Sequence, residues 1–303
     1  MWHPEREIEI LAGTPPGGGL DRCARALVAA LEAHRLVGAP VRVTNLPGEG
    51  GRGAWSRLDQ RPGDPHLLAV SSINLTTDNL LGESPYEHET AFTPLAILYT
   101  EHLAFLARTD APLASAAALL ERFRANARSV TVALSIALGN PNHIALAKVI
   151  RHAGGDVRAP AVRVFDSALD AVADVMAGRA EVAVVTAASA LKELGSGAMR
   201  ALALCAPQRA AGLYAGAPTW KELGVDCEIG SWRGISGARA ITGDHVAYWQ
   251  QVLRAAVATK EWSAELARLY WTPAYLDGAG LNGQLARERI ELAGALRELG
   301  LLG

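Results

Sequence analysis

The sequence predicts an α/β fold in which mostly parallel sheets are flanked by helices. Short apolar runs, typical of buried strands, alternate along the chain with longer segments of helical periodicity. Loops rich in glycine follow several of the apolar runs. Half of the 303 residues are hydrophobic, which suffices for one large domain or for two lobes of about 100–200 residues each. Ligands of such sheets bind beyond the carboxyl ends of the strands, so the loops after the strands are the places to look.

The first half of the chain is predicted to open with a strand at 7–12 and a helix at 21–34. The stretch PVRVTNL, residues 40–46, alternates apolar and polar side chains as a half-buried strand does. Ser115 is the expected cap of a later helix, with Pro112 upstream of it. The other elements of this half are, in order, a helix at 53–60, strands at 66–73 and 102–108, and a helix at 115–126.

The second half continues the alternation of strands and helices. One of its helices is expected to end at Gly154, because glycine is the residue that most often closes a helix. The predicted elements are, in order, a strand at 129–135, a helix at 143–154, a strand at 162–165, a helix at 167–178, strands at 180–186, 200–206 and 227–236, and helices at 245–258 and 281–300.

The charge balance excludes several classes of protein. Lys plus Arg number 29 and Asp plus Glu 31, and no basic tract is present, so no nucleic-acid partner is expected. No apolar run reaches the roughly 18 residues that a membrane-spanning helix needs. The opening MWHPEREIEI lacks the apolar core of a signal peptide. Either the protein is cytosolic, or a secretion signal has been removed.

Three cysteines are too few for a disulfide scaffold, and their spacings fit no zinc motif. No metal or other cofactor is therefore expected. Cys23 falls in the first predicted helix and is expected to be buried. Cys205 and Cys227 could pair in an oxidising compartment or stay reduced, and the sequence leaves both states open.

The loop GTPPGGGLD, residues 13–21, joins the first strand to the first helix. The start of a helix leaves four backbone N–H groups unpaired and carries about half a positive charge. Glycines let a ligand reach those N–H groups, and the natural ligand is an anion. Asp21 is expected either to cap the helix or to face the ligand. A tight turn that only starts a helix explains the same residues equally well.

A second glycine loop, NLPGEGGRGAW, places Gly48, Gly50 and Gly53 in the G-x-G-x-x-G spacing of dinucleotide-binding proteins. That motif normally follows the first strand of its unit, and an acidic residue ends the next strand. Here the next strand ends in SSINL, without an acid. A glycine turn close to the first loop is the favoured interpretation.

A third loop, ALGNPNH at 137–143, also joins a strand to a helix. Asn140 or Asn142 could cap that helix, and His143 in its first turn is expected to be structural rather than catalytic. Neither a G-x-S-x-G elbow nor an H-E-x-x-H zinc motif is present, and S-x-x-K at 189–192 lacks its companion motifs. No catalytic residue is predicted.

Five motifs together resemble one family, the solute-binding proteins of tripartite tricarboxylate transporters, also called the Bordetella uptake gene (Bug, TctC-like) group. They follow one another with similar spacing along the whole chain. The motifs are P-G-G-x-x-D with A-R at 16–21 and 24–25, N-x-P-G-x-G-G at 45–51, a partly kept S-x-x-x-G-S-x-x-H-L-A at 135–145, R-A-L-A at 200–203, and P-T-x-x-E-x-G at 218–224.

The resemblance implies a two-lobed periplasmic binding protein of the type II fold, with 1–103 plus 225–303 as lobe one and 104–224 as lobe two. It implies a ligand cleft between the lobes, hinge closure on binding, a small carboxylate as ligand and membrane transporter subunits as partners. The protein would be a periplasmic monomer whose signal peptide has been removed. The expected ligand-binding residues are Thr14, Pro16, Gly17, Gly18, Gly19, Asp21, Ser71, Ser72, Asn74, Gly139, Asn140, Asn142, His143, Asp166 and Arg233.

Departures from the family pattern concern the ligand more than the fold. Asn140 replaces a serine, Asp166 replaces the lysine of a Y-K-G motif, and Arg233 replaces an aromatic residue. Asp166 is expected to cap the helix that follows it; if it lines the cleft instead, it favours an ammonium or a hydroxyl on the ligand. An amino acid or a substituted monocarboxylate thus fits as well as a tricarboxylate. Two other functions stay open: a nucleotide-binding enzyme that uses the Gly48–Gly53 loop, and the effector-binding lobe of a cytosolic regulator.

Overall fold

The computed structural model describes residues 2–48 and 51–302. The chain forms two compact units. Unit one comprises Met1–Thr100 and Trp232–Gly294, and unit two comprises Glu101–Ser231 and Ala295–Gly303. The lobe boundaries expected near residues 103 and 225 stay a prediction. No helix in the described part of the chain combines the length and apolar character that crossing a membrane requires.

Unit one consists of a mixed sheet and seven helices among its described residues, and three of these elements, β4, β9 and α11, continue into unit two. Its strands are β1 (Ile8–Ala12), β2 (Val41–Asn45), β3 (Leu67–Ser72), β4 (Thr93–Arg108), β9 (Gly230–Gly237) and β10 (Trp271–Asp277). Its helices are α1 (Gly19–Ala33), α2 (Arg52–Asp59), α3 (Asn74–Leu80), α4 (His88–Ala91), α9 (Gly243–Val257), α10 (Lys260–Leu269) and α11 (Gly278–Glu298).

Strand β1 is central among the parallel strands of unit one. It pairs in parallel with β2 and β3, while β9 joins β3 in the antiparallel direction. Both β1 and β3 are buried along nearly their whole length, so their sequences are mostly apolar, interrupted by Glu9 in β1 and ended by Ser71 and Ser72 in β3. The carboxyl ends of β1, β2 and β3 lie at one edge of the sheet, and the loops that leave them lie there together.

A buried carboxylate, that of Glu288, projects from α11 in unit one and contacts Trp232 of β9. The indole Nε1–H of Trp232 donates to both carboxylate oxygens of Glu288, at 2.9 and 2.8 Å. Burial raises the pKa of Glu288 to about 7, although the indole bond acts in the opposite direction. The His88 ring stacks on Trp232, and its Nε2 lies 2.8 Å from Ser236 Oγ. Glu288 therefore titrates near neutral pH inside the fold.

Unit two contains the second sheet. Its own strands are β5 (Thr131–Ser135), β6 (Ala161–Phe165), β7 (Val182–Thr186) and β8 (Met199–Leu204). Its own helices are α5 (Ala116–Asn126), α6 (Pro141–His152), α7 (Ala168–Met176) and α8 (Leu191–Gly195). Strand β5 pairs in parallel with β6 and β7, and β4 lies antiparallel to β7 and β8.

The core of unit two closes around Phe105 and Trp220, whose rings meet edge to face at 5.0 Å. A buried ion pair lies at its edge. The carboxylate of Asp174, only 1% exposed, accepts from Arg163 Nε at 2.7 Å and from Arg179 Nε at 2.6 Å. Burial alone would raise the pKa of Asp174, but these hydrogen bonds lower it below its usual value.

Two residues of the P-T-x-x-E-x-G motif in unit two, Thr219 and Glu222, hydrogen-bond to each other across a turn. Thr219 N–H donates to Glu222 Oε2 at 2.8 Å, and Glu222 N–H donates to Thr219 Oγ1 at 3.2 Å. This reciprocal arrangement closes a short 3-10 turn at Lys221–Leu223. Gly224 then adopts a φ of 78°, which glycine tolerates without strain.

The predicted α/β class is confirmed, and the predicted elements exist with boundaries shifted by a few residues. The strand predicted at 102–108 is only the second part of β4, which begins at Thr93. Helix α6 begins at Pro141 rather than at His143, because proline fits the first turn of a helix. Five elements were not predicted from the sequence: α3, α4, α8, α10 and β10.

Candidate functional site

The carboxylate of Asp21 is the centre of the opening loop. It is 1% exposed, and it accepts from Gly17 N at 2.8 Å, from Arg25 Nε at 2.9 Å and from Asn45 Nδ2 at 2.9 Å. Burial alone would raise the pKa of Asp21, yet the bonds from Arg25, Gly17 and Asn45 lower it. Asp21 therefore stays ionised and holds the loop from inside.

Thr14 and Asn45 complete this arrangement. Asp21 N–H donates to Thr14 Oγ1 at 3.1 Å, so the threonine hydroxyl satisfies a donor in the first turn of α1. Asn45, the last residue of β2, also donates to the Thr14 carbonyl at 2.8 Å. Two of the five sequence motifs, P-G-G-x-x-D with A-R and N-x-P-G-x-G-G, thus meet at one carboxylate. Asp21 was predicted from the sequence to contact the ligand, and that contact stays a prediction. The contacts that the structure shows for Asp21 are those with Gly17, Arg25 and Asn45.

The first and second glycine loops touch through their backbones. A Cβ added at Gly13 would lie 2.7 Å from Gly51 Cα, so only glycine fits there. Gly51 has a φ of 92° and donates from its N–H to the Gly48 carbonyl at 2.8 Å. This agrees with the interpretation of the second loop as a glycine turn close to the first. Gly50, which belongs to the G-x-G-x-x-G spacing, lies outside the described residues.

Two amides in the first turn of α1 donate no hydrogen bond within the part of the chain that the structure describes. Gly17 N–H donates to Asp21, Gly18 N–H to the Pro15 carbonyl at 2.9 Å, and Asp21 N–H to Thr14. Among the hydrogen bonds of the described residues, none uses the N–H of Gly19 or of Leu20. These two groups lie at the positive end of a 15-residue helix. Leu20 was not predicted as a site residue, because its side chain gives no signal of what its backbone does.

Arg233 brings a positive charge to the same place. It lies in β9 directly opposite Ser72 of β3, and it is 7% exposed. Its Nη2 is 3.4 Å from the position that a Cβ of Gly19 would occupy. Its Nη1 donates to the Trp232 carbonyl at 3.1 Å, which fixes the side chain. The guanidinium therefore lies beside the start of α1.

The remaining predicted residues of unit one lie around this point. Ser71 and Ser72 are buried at the carboxyl end of β3, and α3 begins at Asn74. Pro16 and Gly17 are exposed at the tip of the opening loop. The structure thus brings Gly19 and Ser72 together beside Arg233. Pro16 lies farther out in the opening loop, and Asn74 lies two residues after Ser72, at the start of α3.

In unit two, Asn140 caps α6. Its Oδ1 accepts from His143 N–H at 3.2 Å, and its Nδ2 donates to the Ser135 carbonyl at 2.6 Å. Asn142 donates from Nδ2 to Ser135 Oγ at 2.8 Å. Of the two asparagines that the sequence offered, Asn140 is the cap, and Asn142 anchors the loop to the end of β5.

His143 has a fixed orientation in the first turn of α6. Its Nδ1 accepts from Gly139 N–H at 2.9 Å, which places the ring proton of the neutral form on Nε2. Burial lowers the pKa of His143. The ring, together with Leu138, lines a cavity of about 310 Å³ in unit two. The other residues that line this cavity are Val157, Arg158, Pro160, Val162, Leu299, Gly300 and Leu301.

The expectation that Asp166 caps α7 is wrong. Ser167 is the cap, and its Oγ accepts from Asp170 N–H at 3.1 Å. A capping side chain must reach the third residue of its helix, and Asp166 lies one position too early. Asp166 is exposed at the end of β6. Its place in the ligand site stays a prediction.

A larger groove of about 980 Å³ in unit one includes none of the predicted site residues. It lies against α4, α9 and α11, and its lining includes Glu87, Glu89 and Arg289. Within residues 2–48 and 51–302, no cluster of three His, Cys, Asp or Glu side chains is arranged to hold a metal ion. The start of α1 is therefore the strongest candidate site of unit one.

Comparison with known proteins places these motifs in a family. The sequence model of the tripartite tricarboxylate transporter family receptor, TctC, matches residues 24–298. The chain belongs to this family. TctC receptors bind substrates for transporters that work with membrane subunits, and the family is periplasmic. The fold is that of type II periplasmic binding proteins.

Among the similar proteins is BugT of Bordetella pertussis, which is 25% identical over 302 residues, covering 98% of this chain and 90% of BugT. A Rhodopseudomonas palustris protein solved with adipate has a TM-score of 0.88 at 20% identity, with 98% of each chain covered. MatC from Rhodopseudomonas palustris, solved with bound malate, has a TM-score of 0.81 at 20% identity, covering 97% of this chain and 99% of MatC. At this identity the two structures show a shared fold and no more.

Proposed function

We propose that the protein is an extracytoplasmic receptor that binds a small carboxylate at the start of α1 and delivers it to the membrane subunits of a tripartite tricarboxylate transporter. One observation carries the proposal: the N–H groups of Gly19 and Leu20, which no hydrogen bond of the described residues uses, lie at the start of α1, where the Arg233 guanidinium approaches Gly19. Backbone amides at a helix start and a guanidinium suit the two oxygens of a carboxylate.

The surrounding contacts favour a preorganised site. Asp21, Thr14 and Asn45 hold the opening loop through buried hydrogen bonds, so little ordering remains to be done when a ligand binds. The relatives support the ligand class, since two proteins of this fold are described with adipate and malate. The distinctive element here is Arg233, which stands where the family pattern has an aromatic residue.

The loops of unit two that carry predicted ligand-binding residues are largely apolar. Leu138 is 46% exposed in the loop that follows β5, and Leu169 is 44% exposed in the first turn of α7. The cavity beside His143 is lined mostly by apolar side chains, with Arg158 as its cation. Asp166, exposed nearby in sequence, disfavours a second carboxylate close to it. A substituted monocarboxylate or an amino acid fits this composition better than citrate does.

We propose that the protein acts by binding alone, as a periplasmic monomer without catalysis. Its family consists of receptors. His143, for which a structural role was predicted, lies in the first turn of α6 and accepts a hydrogen bond from Gly139 N–H. The nucleotide-binding alternative has less support, because Gly51 of the second loop is packed against Gly13. The contacts of a ligand with Gly139, Asn140, Asn142 and His143 stay predictions.

A thermal-shift screen over monocarboxylates, dicarboxylates, tricarboxylates and amino acids tests the proposal. A ligand at a hundred times its dissociation constant adds about 2.7 kcal/mol of stability. Arg233→Met is expected to weaken the best ligand about tenfold to a hundredfold, since hydrogen bonds to charged groups contribute about 1.5–3 kcal/mol. Arg239→Met is the matched control, because Arg239 is half exposed and pairs with Asp59.

The result that would overturn the proposal is equally specific. A stabilising response to NAD or ATP, with none to any carboxylate, would reassign the protein to nucleotide binding. A carboxylate whose affinity is the same in Arg233→Met and in the wild type would remove Arg233 from the site. The Arg239→Met control separates a lost contact from a general change of surface charge.

A further inference from the structure

Two cysteines of unit two lie next to each other inside its core. The sulfur atoms of Cys205 and Cys227 are 3.6 Å apart, although the residues are 22 positions apart in the chain. Both side chains are buried, at 0% and 1% exposure. In a disulfide the sulfur atoms are about 2.0 Å apart, so a shift of roughly 1.6 Å would join them.

The backbone holds the pair in place. Cys205 follows β8, and its N–H donates to the Leu103 carbonyl at 2.9 Å. Ile229 N–H donates to the Cys205 carbonyl at 3.1 Å, so the chain returns to Cys205 two residues after Cys227. The Cys227 thiol lies 3.6 Å from the Ala145 carbonyl. The fold therefore brings the two thiols together without their being bonded.

We propose that Cys205 and Cys227 form an intramolecular disulfide when the chain folds in an oxidising compartment, which rests on the extracytoplasmic location in the proposed function. The residues between them include two 3-10 turns, Gly212–Tyr214 and Lys221–Leu223, and Thr219, which forms an isolated bridge with Leu204 of β8. A cross-link across such an irregular segment removes much of the conformational freedom of the unfolded chain.

The oxidant is a disulfide, either of a protein thiol oxidase or of glutathione. The thiolate of one cysteine attacks one sulfur of the oxidant and forms a mixed disulfide with it. The other sulfur of the oxidant leaves as a thiolate. The second cysteine then attacks the protein sulfur of that mixed disulfide and expels the other half. The two cysteines lose two protons and two electrons, and the oxidant becomes two thiols. Because burial raises the pKa of Cys205, the exchange belongs to folding, before the core closes.

Refolding the full chain in a glutathione redox buffer tests the bond directly and does not depend on carboxylate binding. The refolded protein is denatured without reductant, labelled with N-ethylmaleimide and weighed intact. One label per chain is expected, on Cys23, which lies buried in α1 of unit one. Cys23→Ser is the matched control and should carry no label. Three labels, or glutathione attached to Cys205 or Cys227, would overturn the proposal.

A second measurement on the wild-type chain avoids variants that fail to fold. The refolded protein is melted with and without a strong reductant. The bridged form is expected to melt about 5–10 °C higher than the reduced form. Equal melting temperatures would mean that no bridge contributes. A bridged protein that binds no carboxylate would contradict the proposed function and leave the disulfide established.

Discussion

Asp21→Asn is the perturbation that most directly tests how the opening loop is held. Asparagine keeps one acceptor oxygen and places an N–H₂ group where the second oxygen accepted. Either Gly17 N–H or Asn45 Nδ2 then loses its acceptor and faces another donor. A buried donor left without a partner costs about 1–3 kcal/mol. The ion pair with Arg25, whose side chain is 57% exposed, adds about 1 kcal/mol or less.

We therefore expect Asp21→Asn to lower the free energy of unfolding by about 2–3 kcal/mol, or the melting temperature by about 5–10 °C. Because the pKa of Asp21 is lowered in the folded state, its contribution is present above its unfolded pKa, near 4, and is lost as the pH falls through the folded value. The difference between variant and wild type should thus shrink in acid.

Urea unfolding at pH 7 and at pH 3 measures both effects. Glu7→Gln is the matched control, since Glu7 pairs with Arg42 and both side chains are about half exposed. This control should change the stability by less than about 1 kcal/mol. An Asp21→Asn variant within about 0.5 kcal/mol of the wild type at pH 7 would refute the assignment of Asp21 as the holder of the loop.

Three further perturbations test other parts of the structure. Gly13→Ala would press a Cβ against the Gly51 backbone and should cost about 3 kcal/mol or more in urea unfolding; a neutral result would contradict the close approach of the loops. Asp174→Asn should destabilise by about 1–3 kcal/mol at pH 7 and by less in acid, because the folded pKa is lowered; a pH-independent difference would speak against the ion pair. Glu288 has a raised pKa, so the folded state holds a proton that the unfolded state releases, and stability should fall as the pH rises from about 4 to about 7. Glu288→Gln, which can still accept from Trp232, should flatten that slope in thermal melts, and an unchanged slope would exclude Glu288 as its source.

The sequence was informative where one local rule decides the structure. The buried strand β3 was predicted from its apolar run Leu67–Val70, and the glycine loops after strands marked the region of the candidate site. The helix α10 was missed although Thr259 caps it and Trp262, Leu266 and Leu269 are buried at helical spacing. Strand β10 contains Pro273 and lacks a clear alternation, so its pairing with β4 depends on tertiary packing.

The site itself could be predicted only in part, because backbone groups carry it. Side-chain patterns pointed to Asp21 as a ligand contact, but they could not show that its oxygens are used by Gly17, Arg25 and Asn45. The amide of Leu20, which donates to no group of residues 2–48 and 51–302, has no signal in the sequence. Arg233 was found from a departure in the family pattern, and its position beside Gly19 follows from the register of β9 against β3.

The central claim is that a ligand carboxylate binds the start of α1, and a crystal structure with the best carboxylate from the screen tests it most directly. We expect one carboxylate oxygen to lie roughly 2.7–3.2 Å from the N–H nitrogen of Gly19 or Leu20. We expect the Arg233 guanidinium to donate a hydrogen bond to the second oxygen. A bound ligand whose carboxylate lies elsewhere, with both amides facing water, would contradict it.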